Sequence, residues 1–145
     1  MYCYTMSMGG DFYAITDEQL QQLLDERIDY AAFLHGELAE QPRECFSDGE
    51  YLWFELTQLL DDESACGYDT TFAVPESSGY AFAVQVKQIA QALSQLSDDE
   101  IRQRCERIEL NEDDSVDAVV EVVLGLTAFY QRAASHGDAV LFRVT

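Results

Sequence analysis

Apolar residues recur along the chain with two spacings, and these spacings predict where helices and strands lie. From Leu20 to Ile28 apolar residues return every three or four positions between Gln and acidic residues, which predicts an amphipathic helix. Thr16, followed by Gln19, has the capping-box pattern and marks the start of this helix. Residues 7–15 carry β-forming residues after a glycine pair, which predicts an opening strand.

The remaining elements follow from the same two spacings and from the positions of Gly, Pro, Ser and Asp. The middle of the chain is predicted to hold a short helix at 30–38, irregular chain around 41–49, a helix at 50–60, and a loop at 64–80 with at most one short strand, at 70–74. The second half is predicted to hold a strand at 79–84, a helix at 85–95, a capping box at 97–100, a short charged helix at 101–108, a long helix at 116–134 that stops at Gly137, and a closing strand at 139–144.

This order of elements predicts the fold class. Strand, helices, loop, helices and strand indicate an α+β domain in which several helices pack on a small mixed sheet that includes the N- and C-terminal strands. The chain has 145 residues, 48% of them hydrophobic, which suits one buried core and therefore a single domain over 1–145. Met6 and Met8 lie close to where the folded pattern begins, so residues 1–6 are the candidate for a short extension, or for a start codon earlier than the fold needs.

The net charge of the chain indicates which kind of partner to expect. Eight Lys and Arg against 28 Asp and Glu give a formal charge of −20, which repels nucleic acid and anionic membrane surfaces and favours a basic protein partner. Solubility alone is the alternative reason for such acidity. The longest apolar candidate for a membrane span, residues 116–126, is too short and contains Asp117 and Glu121. With no signal-like N-terminus, a cytoplasmic location is predicted.

Reactive residues are few and form no recognisable motif. The four cysteines, Cys3, Cys45, Cys66 and Cys105, are far apart and lack metal-binding spacing, so no metal site is predicted and buried free thiols are expected. Only Cys66, in a predicted loop, has a plausible claim to reactivity. The two histidines, His35 and His136, fit helix ends, and no nucleophile elbow or phosphate loop occurs. No catalytic residue and no cofactor site are therefore predicted.

Three acidic clusters differ in their expected roles. The acids at 98–100 lie in the first turn of a helix, where the helix dipole favours them, so folding explains them. Two other clusters have no such position: Asp61, Asp62 and Glu63 after the helix at 50–60, and Glu112, Asp113 and Asp114 in a polar loop. These six residues are the predicted partner-binding residues, with solvated loops as the alternative interpretation.

Four segments resemble the YfbM-like family of small bacterial domains of unknown function. They are residues 8–16 (MGGDFYAIT), 52–60 (LWFELTQLL), 90–102 (AQALSQLSDDEIR) and 126–141 (LTAFYQRAASHGDAVL). They occur in the family's order and are spread along the chain from residue 8 to residue 141, but each is a packing pattern and none is a catalytic motif. The resemblance therefore implies the fold more than the function.

The resemblance permits a role found in many small bacterial families, that of an immunity protein encoded beside a secreted toxin. A nuclease toxin must hold phosphate with Lys and Arg, so an inhibitor gains by presenting carboxylates to its active cleft. The expected partner is thus a cognate, basic toxin, bound without catalysis. The alternative is a small-molecule-binding or enzymatic housekeeping domain that uses the loop at 64–78.

Overall fold

The structure is a computed structural model that describes residues 10–27, 43–45, 58–63, 65, 69–71, 78–108 and 115–144. Five strands and four helices have both of their ends within these ranges. In chain order the elements are β1 (Gly10–Ile15), α1 (Asp17–Leu24), β2 (Arg43–Cys45), β3 (Asp69–Thr71), β4 (Ser78–Ala81), α2 (Ala83–Ser94), α3 (Asp98–Cys105), α4 (Val116–His136) and β5 (Ala139–Val144). The helix predicted at 30–38 lies outside the described residues, and that at 50–60 lies mostly outside them.

The strands form one sheet in the order β2-β1-β5-β4-β3. Strands β1 and β5 pair over their whole length, from Gly10 with Val144 to Ile15 with Ala139. The first and last strands are therefore neighbours at the centre of the sheet. This confirms the predicted α+β fold with N- and C-terminal strands in one sheet.

The described strand pairs are all antiparallel, whereas the sequence suggested a mixed sheet. The reason lies in the path between β4 and β5. Ala81, at the end of β4, pairs with Val140, near the start of β5. The three intervening helices thus return the chain to the end of the sheet that it left, and β5 must run back along β4. A parallel pair needs a crossover to the opposite end of the sheet.

Residues 12–15 of β1 and 139–142 of β5 are buried on both faces of the sheet because their side chains alternate between two hydrophobic clusters. One cluster combines Phe12, Ala14, Val140 and Phe142 with the apolar faces of α2, α3 and α4. The other combines Tyr13, Ile15, Ala139 and Leu141 with Leu20 and Leu23 of α1. The sheet is therefore covered by three helices on one face and contacted by α1 on the other.

Phe12 is at the centre of the larger cluster. Its ring lies 4.6 Å from that of its cross-strand partner Phe142 and 6.2 to 6.3 Å from the rings of Phe129 and Tyr130, measured between centroids. Truncation of a buried phenylalanine to alanine costs about 3 to 5 kcal/mol. This ring therefore fixes the long helix α4 against the central strands.

Local signals set the helix ends much as the sequence predicted. Thr16 and Gln19 exchange both capping-box hydrogen bonds at the start of α1, at 2.9 and 3.0 Å. Gly137 ends α4 in the left-handed conformation, with φ of 70°, where glycine has no steric penalty. Helix α1 ends at Leu24 rather than continuing to Ile28, because Glu26 takes a positive φ of 56°.

Strand β2 corrects one prediction. Residues 41–49 were expected to be irregular, but Arg43 to Cys45 pair with β1. A three-residue edge strand has too few positions to show an alternating pattern, so its pairing partner decides its conformation. No helix in the described part of the chain is both long and apolar enough to cross a membrane.

The start of α2 is tied to α1 by a side chain. The Asp17 carboxylate, in the first turn of α1, accepts a hydrogen bond from the Ala83 backbone N–H at 2.8 Å. Ala83 is the first residue of α2, where backbone N–H groups lack intrahelical acceptors. One carboxylate thus lies in the first turn of α1 and accepts a hydrogen bond from the N-terminus of α2.

We expect Asp17→Ala to lower the free energy of unfolding by about 1 kcal/mol more than Glu18→Ala does. Both substitutions remove a carboxylate from the first turn of α1, but only Asp17 bonds to α2. Urea denaturation of the two variants measures the difference. Equal losses of stability would show that the bond to Ala83 contributes nothing.

Candidate functional site

The acidic turn, defined as residues 58–63, carries the first predicted acidic cluster. Leu59 and Leu60 are buried in the larger hydrophobic cluster, at 3% and 1% exposure, while Asp61 and Asp62 are exposed. The Glu63 N–H donates to the Leu60 carbonyl at 3.2 Å, which closes the turn. The two leucines therefore anchor the turn, and the two aspartates project from it.

A second anchor follows the acidic turn. The Ala65 N–H donates to the Leu60 carbonyl at 3.4 Å, and the Ala65 carbonyl accepts a hydrogen bond from the Tyr130 hydroxyl on α4. Ala65 and Tyr130 are both buried. The chain is thus attached to the core on both sides of Asp61 and Asp62.

Glu63 forms a bidentate ion pair with Arg104 of α3. The two Arg104 Nη atoms lie 2.6 and 2.9 Å from the Glu63 carboxylate oxygens, and the side chains are 18% and 9% exposed for Arg104 and Glu63. Arg104 also donates to the Leu59 carbonyl at 3.0 Å and to the Glu100 carboxylate at 3.1 Å. Paired, hydrogen-bonded charges of this kind are tolerated away from water because their polar atoms are satisfied.

The hydrogen bonds that Arg104 donates to the Glu63 carboxylate raise the pKa of Arg104 above its ordinary value, although desolvation acts in the opposite direction. An arginine side chain stays charged at any ordinary pH, and this guanidinium does so more firmly. The positive end of this ion pair is permanent.

Arg102, on the same helix, pairs with different acids. It contacts Asp98 at 3.0 Å within α3 and Asp117 in the first turn of α4 at 2.8 Å. The hydrogen bond to Asp117 is the largest cause of the raised pKa of Arg102. All three side chains are well exposed to solvent, so these pairs contribute little to stability.

A polar cleft lies along the surface where the acidic turn meets α3. Its larger part, about 420 Å³, lies between Asp62 and the face of α3 from Ser97 to Arg107. A smaller part, about 190 Å³, extends along the acidic turn and shares Asp62, Arg104 and Arg107 with it. Carboxylates and guanidinium groups therefore line the same depression.

The structure separates the roles of the predicted partner-binding residues. Asp61 and Asp62 are exposed and line the cleft, as a contact residue must. Glu63 has a structural role that the sequence did not indicate, since its carboxylate is held by Arg104. Glu112, Asp113 and Asp114 lie outside the described residues. Their contact with a partner stays a prediction.

The acids at 98–100 behave as the helix start predicts, with one difference. The Ser97 hydroxyl accepts a hydrogen bond from the Glu100 N–H at 3.1 Å and so caps α3. The Glu100 carboxylate does not complete a capping box; it bonds to Arg104 instead. The stronger, charge-assisted bond one turn further along the helix is thus the one that forms.

Arg104 is the residue that sequence reasoning missed. Its spacing from Glu100 indicates a pair within the helix, but Glu63 lies 41 positions away in the sequence. Three arginines in α3 and the turn after it, at 102, 104 and 107, look alike in the sequence. Only the packing of α3 on the acidic turn distinguishes them.

Groups with possible reactivity lie elsewhere. Burial raises the pKa of the Cys105 thiol, so it is protonated at neutral pH and acts as a small apolar side chain. His136 is exposed in the last turn of α4. Within the described ranges no group of three or more His, Cys, Asp or Glu residues is arranged to hold a metal ion.

These features define a class: an acidic α+β domain with helices on both faces of an antiparallel sheet and a polar cleft beside its larger helical layer. The sequence from residue 6 to 143 matches the family described as "Domain of unknown function (DUF1877)", and the chain belongs to that family. Together with a structural match to YfbM, this confirms the predicted YfbM-like family of unknown function.

A solved structure shares this fold. It is "The Crystal Structure of a Protein of Unknown Function YfbM from Escherichia coli", with a TM-score of 0.67 and 17% sequence identity over 94% of this chain and 99% of that one. At this identity the likeness concerns the fold alone. No curated protein matches the chain.

We expect Glu63→Gln to lower the free energy of unfolding by about 2 kcal/mol, since it leaves the largely buried Arg104 without its bidentate carboxylate partner and with only the half-exposed Glu100. Asp62→Asn, in the same turn, removes an equal charge from an exposed position and should change stability by less than about 0.5 kcal/mol. Urea denaturation of both variants tests this. A similar effect of the two substitutions would mean that the ion pair does not hold the turn.

Proposed function

We propose that the chain is a cytoplasmic immunity protein, which binds a cognate bacterial toxin and neutralises it by covering its active site. The toxin is a basic protein, and a cationic nuclease is the class that fits best. The chain acts by binding and carries out no reaction. The observation that carries this proposal is the exposed pair Asp61 and Asp62 on a firmly anchored turn of a domain with a net charge of −20.

The distribution of charge supports a basic partner. Arg27, Arg102 and Arg104 are paired with acids of the same chain. Asp61 and Asp62 form no ion pair within the part of the chain that the structure describes. The negative potential of the acidic turn is therefore available to an approaching cation, and such a potential speeds the encounter of oppositely charged proteins.

A nuclease gives this surface a specific use. Its active cleft must hold phosphate groups with Lys and Arg, so carboxylates placed at the same spacing satisfy those cations in place of the substrate. Two adjacent aspartates on a fixed turn are suited to this because little conformational freedom remains to be lost on binding. Charge therefore governs the first encounter with the toxin, and the anchored turn governs how well the two surfaces fit in the complex.

The alternative, a small-molecule site built from the loop at 64–78, gains no support from the cleft. The described residues of that loop are Ala65, β3 and Ser78. Ala65 is buried in the core, and β3 and Ser78 belong to the sheet. None of these described residues lines the polar cleft.

Co-expression tests the proposed function directly. The reading frame next to this gene in its genome should encode a large protein with a toxic C-terminal domain, and that domain alone should arrest growth. Expression of the acidic chain should restore growth, and the two proteins should co-purify at low salt. Failure of both rescue and co-purification would rule out the immunity function.

Charge reversal identifies the surface. We expect Asp61→Lys with Asp62→Lys to slow association with the toxin domain by about tenfold at low salt and to flatten its salt dependence. Reversal of Glu112, Asp113 and Asp114 should act in the same direction. Stopped-flow measurement of the association rate at several salt concentrations gives both quantities.

The matched control is Glu26→Lys with Glu121→Lys. It changes the net charge by the same amount as the double variant, at two exposed positions that do not line the cleft. Its association rate should fall by less than about threefold, as expected from net charge alone. Equal effects of the two double variants would place the contact on another surface.

A further inference from the structure

We infer that Arg104 is a positioning residue for the partner contact made by Asp61 and Asp62. It does not itself touch the partner; it holds the acidic turn in the shape that presents the two aspartates. This inference rests on the proposed function, because it concerns the same surface.

Arg104 forms hydrogen bonds on both sides of the two aspartates. One Nη atom donates to the carbonyl of Leu59, before the two aspartates, and both Nη atoms donate to the carboxylate of Glu63, directly after them. A single guanidinium thus joins the two ends of the segment that carries Asp61 and Asp62. Its separation from Glu63 is 41 residues, so the contact also attaches that segment to α3.

Arg104 is itself fixed. It lies next to the buried Cys105 of α3, and its guanidinium is also bonded to Glu100 one turn earlier in that helix. The side chain is only 18% exposed. The guanidinium is therefore attached to the packed helical layer and is not a mobile surface charge.

The geometry requires arginine. Its planar fork can donate to both oxygens of Glu63 and still reach the Leu59 carbonyl and Glu100. Lysine carries the same charge on a single nitrogen and cannot form the bidentate pair. Arg104→Lys consequently keeps the net charge of the protein but loosens the turn.

A looser turn weakens binding without altering long-range attraction. The ordering of flexible groups at an interface opposes association, so residues that are already held in place bind more tightly. Since net charge is unchanged, the association rate and its salt dependence should stay nearly constant. The loss of affinity should appear in the dissociation rate.

Arg104→Lys is tested against Arg102→Lys, with the intact chain and the toxin domain encoded beside it. Both replace an ion-paired arginine of α3, but Arg102 pairs with Asp98 and Asp117 and not with the acidic turn. We expect Arg104→Lys to raise the dissociation rate by roughly fivefold, a typical coupling between contacting residues, and Arg102→Lys to change it by less than about twofold.

A double-mutant cycle separates positioning from a general loss of stability. In a chain that already carries Asp61→Asn and Asp62→Asn, the turn has no charges left to position. The effect of Arg104→Lys on the dissociation rate should then largely disappear. An effect of the same size in both backgrounds would overturn the inference, because a merely structural role adds equally to each.

The outcomes also distinguish this inference from the proposed function. If the wild-type chain does not bind the toxin domain, the proposed function fails and the inference fails with it. If the wild type binds and Arg104→Lys dissociates at the wild-type rate, the inference alone is wrong. Should Arg104→Lys fail to fold, as judged by circular dichroism, Glu63→Gln replaces it in the same cycle, since it weakens the same ion pair from the other side.

Discussion

The pairing of β1 with β5 is the interaction on which the rest of the structure depends. These strands come from opposite ends of the described chain and pair over six residues each, and residues 12–15 and 139–142 of them are buried on both faces of the sheet. Because side chains alternate across the sheet, one register serves both clusters, and a shift by one residue would exchange their contents. Helices α2, α3 and α4 can bury their apolar faces only once these two strands are paired.

The acidic turn depends on that same layer. Leu59 and Leu60 enter the larger cluster, and Tyr130, which contacts Phe12, holds the chain just beyond the turn. Arg104 then connects the turn to α3. Acidic side chains alone would indicate no more than a soluble surface. Their attachment to the core at several points is what makes this turn a candidate contact site, since an anchored surface loses less freedom when it binds.

Local signals made the helices and the central strands predictable. The capping residues Thr16 and Ser97 lie within three positions of the groups they bond, and the stop at Gly137 is equally local. The sequence could not show what depends on distant partners. The antiparallel register follows from where the chain returns to the sheet, and the Arg104 pair with Glu63 spans 41 residues. Asp61 and Asp62 are exposed and their contact with a partner stays a prediction, whereas the carboxylate of Glu63 beside them is held by Arg104.

We propose that this acidic domain meets a basic protein partner through the acidic turn. Hydrogen–deuterium exchange of the chain, alone and with the toxin domain encoded beside it, locates the contact. We expect the partner to slow exchange chiefly at residues 58–63. Protection confined to α1 or to the sheet, with the acidic turn unchanged, would contradict this.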